Sequence, residues 1–239
     1  KMVQTYKAYN TFSETSEAKI VMLGAPSQIQ STTFKFQKPS KFFVQTSDPQ
    51  SGTLSIYSDG TQVTIFGGRQ NIFTRRDYAG SFVSTVRTYE KVAKEMLDMN
   101  ITQILSPISF MTAGENGLRE AKSFKFLGTK AVNGRTTNMV LSPVDLEWLT
   151  SIVGRQNFLP DKCQVKLYID KETNLLIHSV IQFLWQSKVQ RPGVKDKIVI
   201  QGMVLDEMHR NQVMDKPIDA NVFRFAPQPG SKEVFRETR

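Results

Sequence analysis

The sequence predicts an α+β fold, mainly antiparallel β: a strongly curved sheet or incomplete, unclosed barrel with helices inserted mid-chain, laid into its concavity either as a permanent plug or as a lid. Three observations predict it. Phe34 to Arg75 reads as a meander of short strands, and Asp59-Gly60 and Gly67-Gly68 stand at two of its joints. Such pairs supply the positive φ of tight hairpin turns. Side chains alternate along Phe42, Val44 and Thr46, and again along Val63 and Ile65, so each strand has one apolar face. After Arg76 the period changes to helical spacing before strands resume at Ser123.

Taken in order, Val3, Tyr6 and Tyr9 recur at helical spacing, then Phe12 to Met22 turns strand-like up to Gly24-Ala25-Pro26. Gln28 to Gln37 returns as a second strand. Lys41 to Thr46 begins just past Pro39, which donates nothing to a ladder. Asp48 to Gly52 has loop chemistry and separates Lys41–Thr46 from Thr53–Ser58; Gln62–Phe66 and Asn71–Arg75 follow. Ser84 to Met99 sets Val86, Tyr89, Val92, Met96 and Leu97 on one helical face, with Arg87, Glu90, Lys91 and Lys94 opposite. Ile101 to Thr112 is apolar but interrupted by Pro107.

Ser123 to Lys130 and Thr136 to Leu141 form a hairpin about Asn133-Gly134. Asp145 caps a short helix bearing Leu146, Leu149, Ile152 and Val153. Gln164–Asp170 and Asn174–Gln186 pair around Lys171-Glu172-Thr173. The second of these is apolar on both faces, as in a strand covered on both sides. Ile198 to Met208 is the last long strand, and Val222 to Phe225 a short one before Pro227. The expectation is one domain over 1–239, with lid helices near 81–120 and a second short helix near 145–154.

Composition narrows the function classes. The 239 residues are 39% apolar, which excludes wholesale disorder, and no apolar run approaches the ~20 residues that cross a bilayer as a helix. No secretory leader is visible, and one removed upstream of Lys1 is compatible with the opening. The net charge of +9 attracts anionic partners. Its basic residues are scattered, with small groups at Arg69/Arg75/Arg76 and Lys188/Arg191/Lys195/Lys197, and lack the aromatic interleaving of a nucleic-acid platform. No nucleic-acid partner is expected; the charge is compatible with a generic basic surface or with peripheral contact with an anionic membrane surface.

Enzyme chemistry finds little support. Cys163 is single and reads as a buried structural thiol; as a nucleophile it would need His178 or His209 as base. Two histidines without ligand spacing make no metal site, and no glycine-rich phosphate loop is present, so neither a metal nor a cofactor is expected. Asp145 and Glu147 fit helix capping better than acid–base work.

Three patches carry a family resemblance. Phe36-Gln37-Lys38-Pro39-Ser40-Lys41-Phe42, followed by Ser58-Asp59-Gly60-Thr61-Gln62, resembles the early strands of LolA-like proteins. Ala220 to Gly230 is similar to that family's closing F-x-F-x-P-P-x-G run, and Leu167 to Thr173 to the x-I-D-x-x-T hairpin of its periplasmic relatives. The order is the family's, from about Phe12 onward. The resemblance implies an unclosed barrel with a helical lid, an apolar cavity between them, and carriage of lipid or lipid-modified protein through the periplasm, with a membrane-anchored donor or acceptor protein compatible as partner. The chain departs in being longer around 81–120 and 142–160, and in having Lys38 where many carriers place Arg, a point charge instead of a planar fork.

On that reading Phe34, Phe36, Phe42, Val44, Leu54, Ile56, Val63 and Ile65 are the candidate cavity lining, although parity alone leaves open which face is concave. Val86, Tyr89, Val92, Met96 and Met99 are the candidate lid face, methionine suiting varied acyl chains. Lys38 and Lys41 are the candidate rim. The expected function is non-catalytic binding or carriage of lipid or lipoprotein acyl chains in the bacterial envelope. The alternatives are an envelope sensor that binds a membrane-anchored regulator, or an enzyme using the same cavity.

Overall fold

The computed structural model describes residues 1–49, 52–78, 124–143, 157–159, 162–191 and 194–234. A short helix, α1 (Met2–Ala8), precedes β1 (Thr11–Met22), β2 (Gln28–Gln37), β3 (Lys41–Asp48), β4 (Gly52–Ser58), β5 (Gln62–Gly67) and β6 (Ile72–Asp77). There follow β7 (Lys125–Val132), β8 (Arg135–Pro143), β9 (Asn157–Phe158), β10 (Gln164–Asp170), β11 (Leu176–Arg191), β12 (Val194–Met214) and β13 (Lys232–Glu233). Hydrogen bonding runs β13-β6-β5-β4-β3-β2-β1-β12-β11-β10-β8-β7, with β9 on β11. Among the described residues nothing joins β7 to β13, so the sheet is mainly antiparallel and open, as expected. The barrel-like strong curvature expected from the sequence is not part of the observed fold. The lid near 81–120 and the short helix near 145–154 fall outside the described residues.

The chain divides into two compact units, with β1, β2 and β12 contributing to both. One comprises Val3–Glu17, Gln30–Gly117 and His209–Arg239. Its core is the β2–β6 meander. The β4–β5 turn forms as the sequence dictates: Gly60 has φ +101°, and Asp59 Oδ1 accepts from Thr61 N, Thr61 Oγ1 and Gln62 N at 2.8–2.9 Å. Those bonds and the charge of Arg224 outweigh the effect of burial and hold the Asp59 carboxyl below its ordinary value.

The β5–β6 turn differs from expectation. Neither Gly67 nor Gly68 carries positive φ; Asn71 does, at 51°, in a longer connection. Gly68 has another task, donating its N–H to Thr53 O at 2.7 Å, where an added Cβ would stand 3.2 Å from that oxygen. The closing run also differs. Ala220–Phe223 is a 3-10 turn capped by Asp219 Oδ1 on Asn221 N, not a strand. The two-residue β13 that follows pairs in parallel with β6, a contact local patterning could not show.

The other unit comprises Lys1–Met2, Ala18–Ile29 and Leu118–Met208. Asn133 (φ 48°) and Gly134 (φ 75°) make the expected tight turn between β7 and β8. Asp170 organises the β10–β11 turn, accepting from Glu172 N, Thr173 N and Thr173 Oγ1 at 2.7–2.9 Å. On β11, Ile177, Ile181, Phe183 and Trp185 are buried along one face; on the other Leu176 is buried, but Val180 and Leu184 are half-buried. β12 outruns its expected span at both ends because charged and polar residues there mask the strand pattern.

Candidate functional site: an apolar sheet face

The eight expected lining residues share one face of the β2–β5 meander. Phe34 lies opposite Val44 and Phe36 opposite Phe42. Val44 lies opposite Ile56, and Thr46 opposite Leu54. Ile56 lies opposite Ile65, and Ser58 opposite Val63. Directly paired residues project to the same side, so the ladder makes one contiguous apolar surface. Seven of the eight are at most 3% exposed, and Val44 is half-buried.

The two faces of this sheet are covered differently. On the lining face, Tyr6 of α1 meets Phe12 edge-on at 5.4 Å, and Phe12 meets Phe34 at 6.2 Å. On the opposite face, Phe225 packs against Tyr57, Phe66 and Phe73 at 4.9–5.4 Å, and Tyr57 against Phe43 at 5.1 Å. The family-like closing run is thus spent on the face away from the candidate lining. Polar groups interrupt the lining face: Thr32 and Thr46 hydroxyls are 3.3 Å apart, and the buried Thr74 Oγ1, on the strand register of Ile65, has no hydrogen-bond partner.

Lys38 and Lys41 flank the β2–β3 connection. Lys38 Nζ donates to Lys7 O at 2.6 Å, and Lys38 N–H to Asn10 O at 2.9 Å. Lys7 is in the last turn of α1, so the ammonium sits on a carbonyl the helix leaves unpaired, at the negative end of its dipole. A point charge suffices for that contact. Lys38 therefore positions α1, while Lys41 is half-buried at the start of β3. Val86, Tyr89, Val92, Met96 and Met99 lie outside the described residues.

A buried polar cluster escaped the sequence reading. On β1, Phe12, Glu14 and Ser16 alternate inward, and Glu14 is 3% exposed. Glu14 Oε1 lies 3.3 Å from His209 Nδ1, and Glu14 Oε2 accepts from Gln212 Nε2 at 3.2 Å. The signal was there: a glutamate at an inward-facing position of β1, and one of only two histidines. The sequence distance of 195 residues hid the pairing. The other histidine, His178, binds Asp206 Oδ1 at 2.7 Å and stacks on Tyr168 at 4.6 Å. Cys163 is 3% exposed, burial pushes its thiol up, and its Sγ points to Leu184 O at 3.8 Å.

No curated protein matches the chain. Among solved structures, the Mycobacterium tuberculosis lipoprotein LppX is similar at 9% identity and a TM-score of 0.46, over 92% of this chain and 93% of that one. LprF from Mycobacterium bovis is similar at 11% identity and 0.45, over 92% and 91%. A LolA superfamily protein from Nitrosomonas europaea is similar at 8% identity and 0.36, over 94% and 96%. A family model matches residues 1–235. The chain belongs to the DUF2092 family of predicted periplasmic proteins, which places it in the periplasm.

Proposed function

We propose that this protein, acting as a single domain over 1–239, is a non-catalytic carrier that holds lipid, or the acyl chains of lipoproteins, against the apolar face of β2–β5. The single observation that carries this reading is the in-register surface of Phe34, Phe36, Phe42, Val44, Leu54, Ile56, Val63 and Ile65. A guest burying about 400 Å² of apolar surface there gains on the order of 10 kcal/mol before the costs of association and of displacing the cover. No covalent step is needed.

The lining is buried, so a guest enters only by displacing what lies over it. α1 is suited to move: it has seven residues, too few to be stable alone, and is held by Lys38 and by Tyr6 on Phe12. The segment 81–120, with Val86, Tyr89, Val92, Met96 and Met99 on one helical face, supplies the rest of the lid in this reading. Lys41 serves the rim. Release then depends on a membrane-anchored acceptor offering a better apolar site. Uptake of a fluorescent fatty acid or phospholipid tests the proposal: saturable uptake by the native chain, lost in Phe42→Asp with folding retained, supports it. Equal uptake by both rejects it.

One observation favours a second reading. The Glu14–His209–Gln212 cluster lies on the same face of β1 as Phe12 and joins a carboxylate to an imidazole, the pairing used in general acid–base catalysis. On this alternative the protein hydrolyses an ester it holds. Release of fatty acid from a bound lipid by the native chain, absent in His209→Gln, would favour it over carriage.

A further inference from the structure

The apolar lining of β2–β5 gives way to hydrogen-bond donors at its margin. On β6, Thr74 lies directly opposite Ile65 and Arg76 directly opposite Val63. Paired residues project to one side, so both belong to the lining face. Tyr78, whose N–H donates to Thr61 O at 2.9 Å and so prolongs the ladder, falls two residues on and keeps the same parity. A hydroxyl, a guanidinium and a phenol thus stand in file along one edge of the apolar surface, all within one compact unit. Their neighbours alternate away. Arg75 meets Glu233 at 3.8 Å and stands 4.9 Å over the Phe73 ring on the opposite face, and Asp77 lies opposite Gln62. Of the two adjacent arginines, Arg76 is the one on the lining side.

These donors are withdrawn from water. Thr74 is 2% exposed, and Arg76 and Tyr78 are half-buried. Burial pushes the Tyr78 phenol up, which keeps it a donor. The other buried hydroxyls described on the β2–β6 part of this face have partners: Thr32 and Thr46 stand 3.3 Å apart, and Ser58 donates to Ser40 O at 3.0 Å. Thr74 Oγ1 has none, a cost that an oxygen of a ligand removes. A guanidinium holds five N–H donors in a planar fork, so Arg76 can keep a contact within the chain and still meet a carboxylate or phosphate. Among the described residues no carboxylate stands on the β4–β6 part of this face, where Leu54, Ile56, Ser58, Val63, Ile65 and Ile72 accompany the donors. Such a margin suits an anion.

We infer that this margin receives the head of the cargo: Arg76 pairs with an anionic oxygen group, Thr74 and Tyr78 donate to its oxygens or to an adjoining ester carbonyl, and the acyl chain lies across Ile65, Ile56 and Val44. The cargo is then an acidic lipid, headed by a carboxylate or a phosphate. The inference rests on lipid carriage and deepens it by assigning the head. Displacement of a bound fluorescent acyl probe from the 239-residue chain tests it. Oleate is compared with methyl oleate, and dioleoyl phosphatidic acid with dioleoylglycerol, so that carboxylate and phosphate heads are read separately. In at least one pair the acidic lipid is expected to bind about tenfold tighter or more. Thr74→Val, Tyr78→Phe and Arg76→Gln are each expected to lower that ratio, Arg76→Gln to near one. Because the Thr74 hydroxyl is unpaired, Thr74→Val is also expected to keep its thermal stability, which separates a lowered ratio from a folding defect. If Arg76→Gln does not fold, the two isosteric variants decide. A ratio near one in both pairs, or an unaltered ratio in the folded variants, overturns the head assignment and leaves carriage standing. A native chain that binds neither the probe nor any of these lipids overturns carriage, and this inference with it.

Discussion

Asp170 shows how one carboxylate fixes a hairpin. Burial alone would raise its pKa, yet the hydrogen bonds from Thr173 and Glu172 and the charge of Arg135, 3.8 Å away, leave it below the ordinary value. A depressed folded pKa means the stabilisation is fully present above the unfolded value of about 4 and is lost as pH falls through the folded one. Asp170→Ala is expected to cost about 1–3 kcal/mol at neutral pH, by urea denaturation, with the difference from the native chain shrinking in acid. A constant difference down to pH 2 would remove the electrostatic account. Cys163 makes the opposite case, with burial holding its thiol protonated. It is expected to react with a disulfide reagent only on unfolding, so fast labelling of the native chain would show an open site.

At the scale of elements, the two faces of the β2–β6 meander have different covers. Phe225 sits among Tyr57, Phe66 and Phe73, so Phe225→Ala is expected to lower stability by about 2–4 kcal/mol without abolishing lipid uptake. α1 is held by less. Lys38→Met removes the contact to Lys7 O and is expected to cost about 1 kcal/mol while speeding hydrogen exchange in residues 2–8. Unchanged exchange there would mean that Tyr6 alone holds the helix. What the sequence made legible follows the same division. The alternation of Phe42, Val44 and Thr46 and the turns at Asp59-Gly60 and Asn133-Gly134 are local, so they were read correctly. The turn after Gly67 went astray because Gly68 is needed for close approach to Thr53, not for positive φ. Val222 to Phe225 has the local pattern of a short strand, yet the capping by Asp219 winds the start of that run into a 3-10 turn. The Glu14–His209 pairing and the parallel strand β13 depend on partners more than a hundred residues away, which no local pattern encodes.

For the whole molecule, family membership over residues 1–235 fixes the compartment, and the apolar surface of β2–β5 gives the proposed cargo its chemistry. Native mass spectrometry of the protein purified from the envelope without detergent bears most directly on the proposed carriage. The account predicts adducts of lipid mass on the native chain, regained when phospholipid is added to the stripped protein and lost in Phe42→Asp. A folded native chain that carries no lipid and takes up none would contradict it.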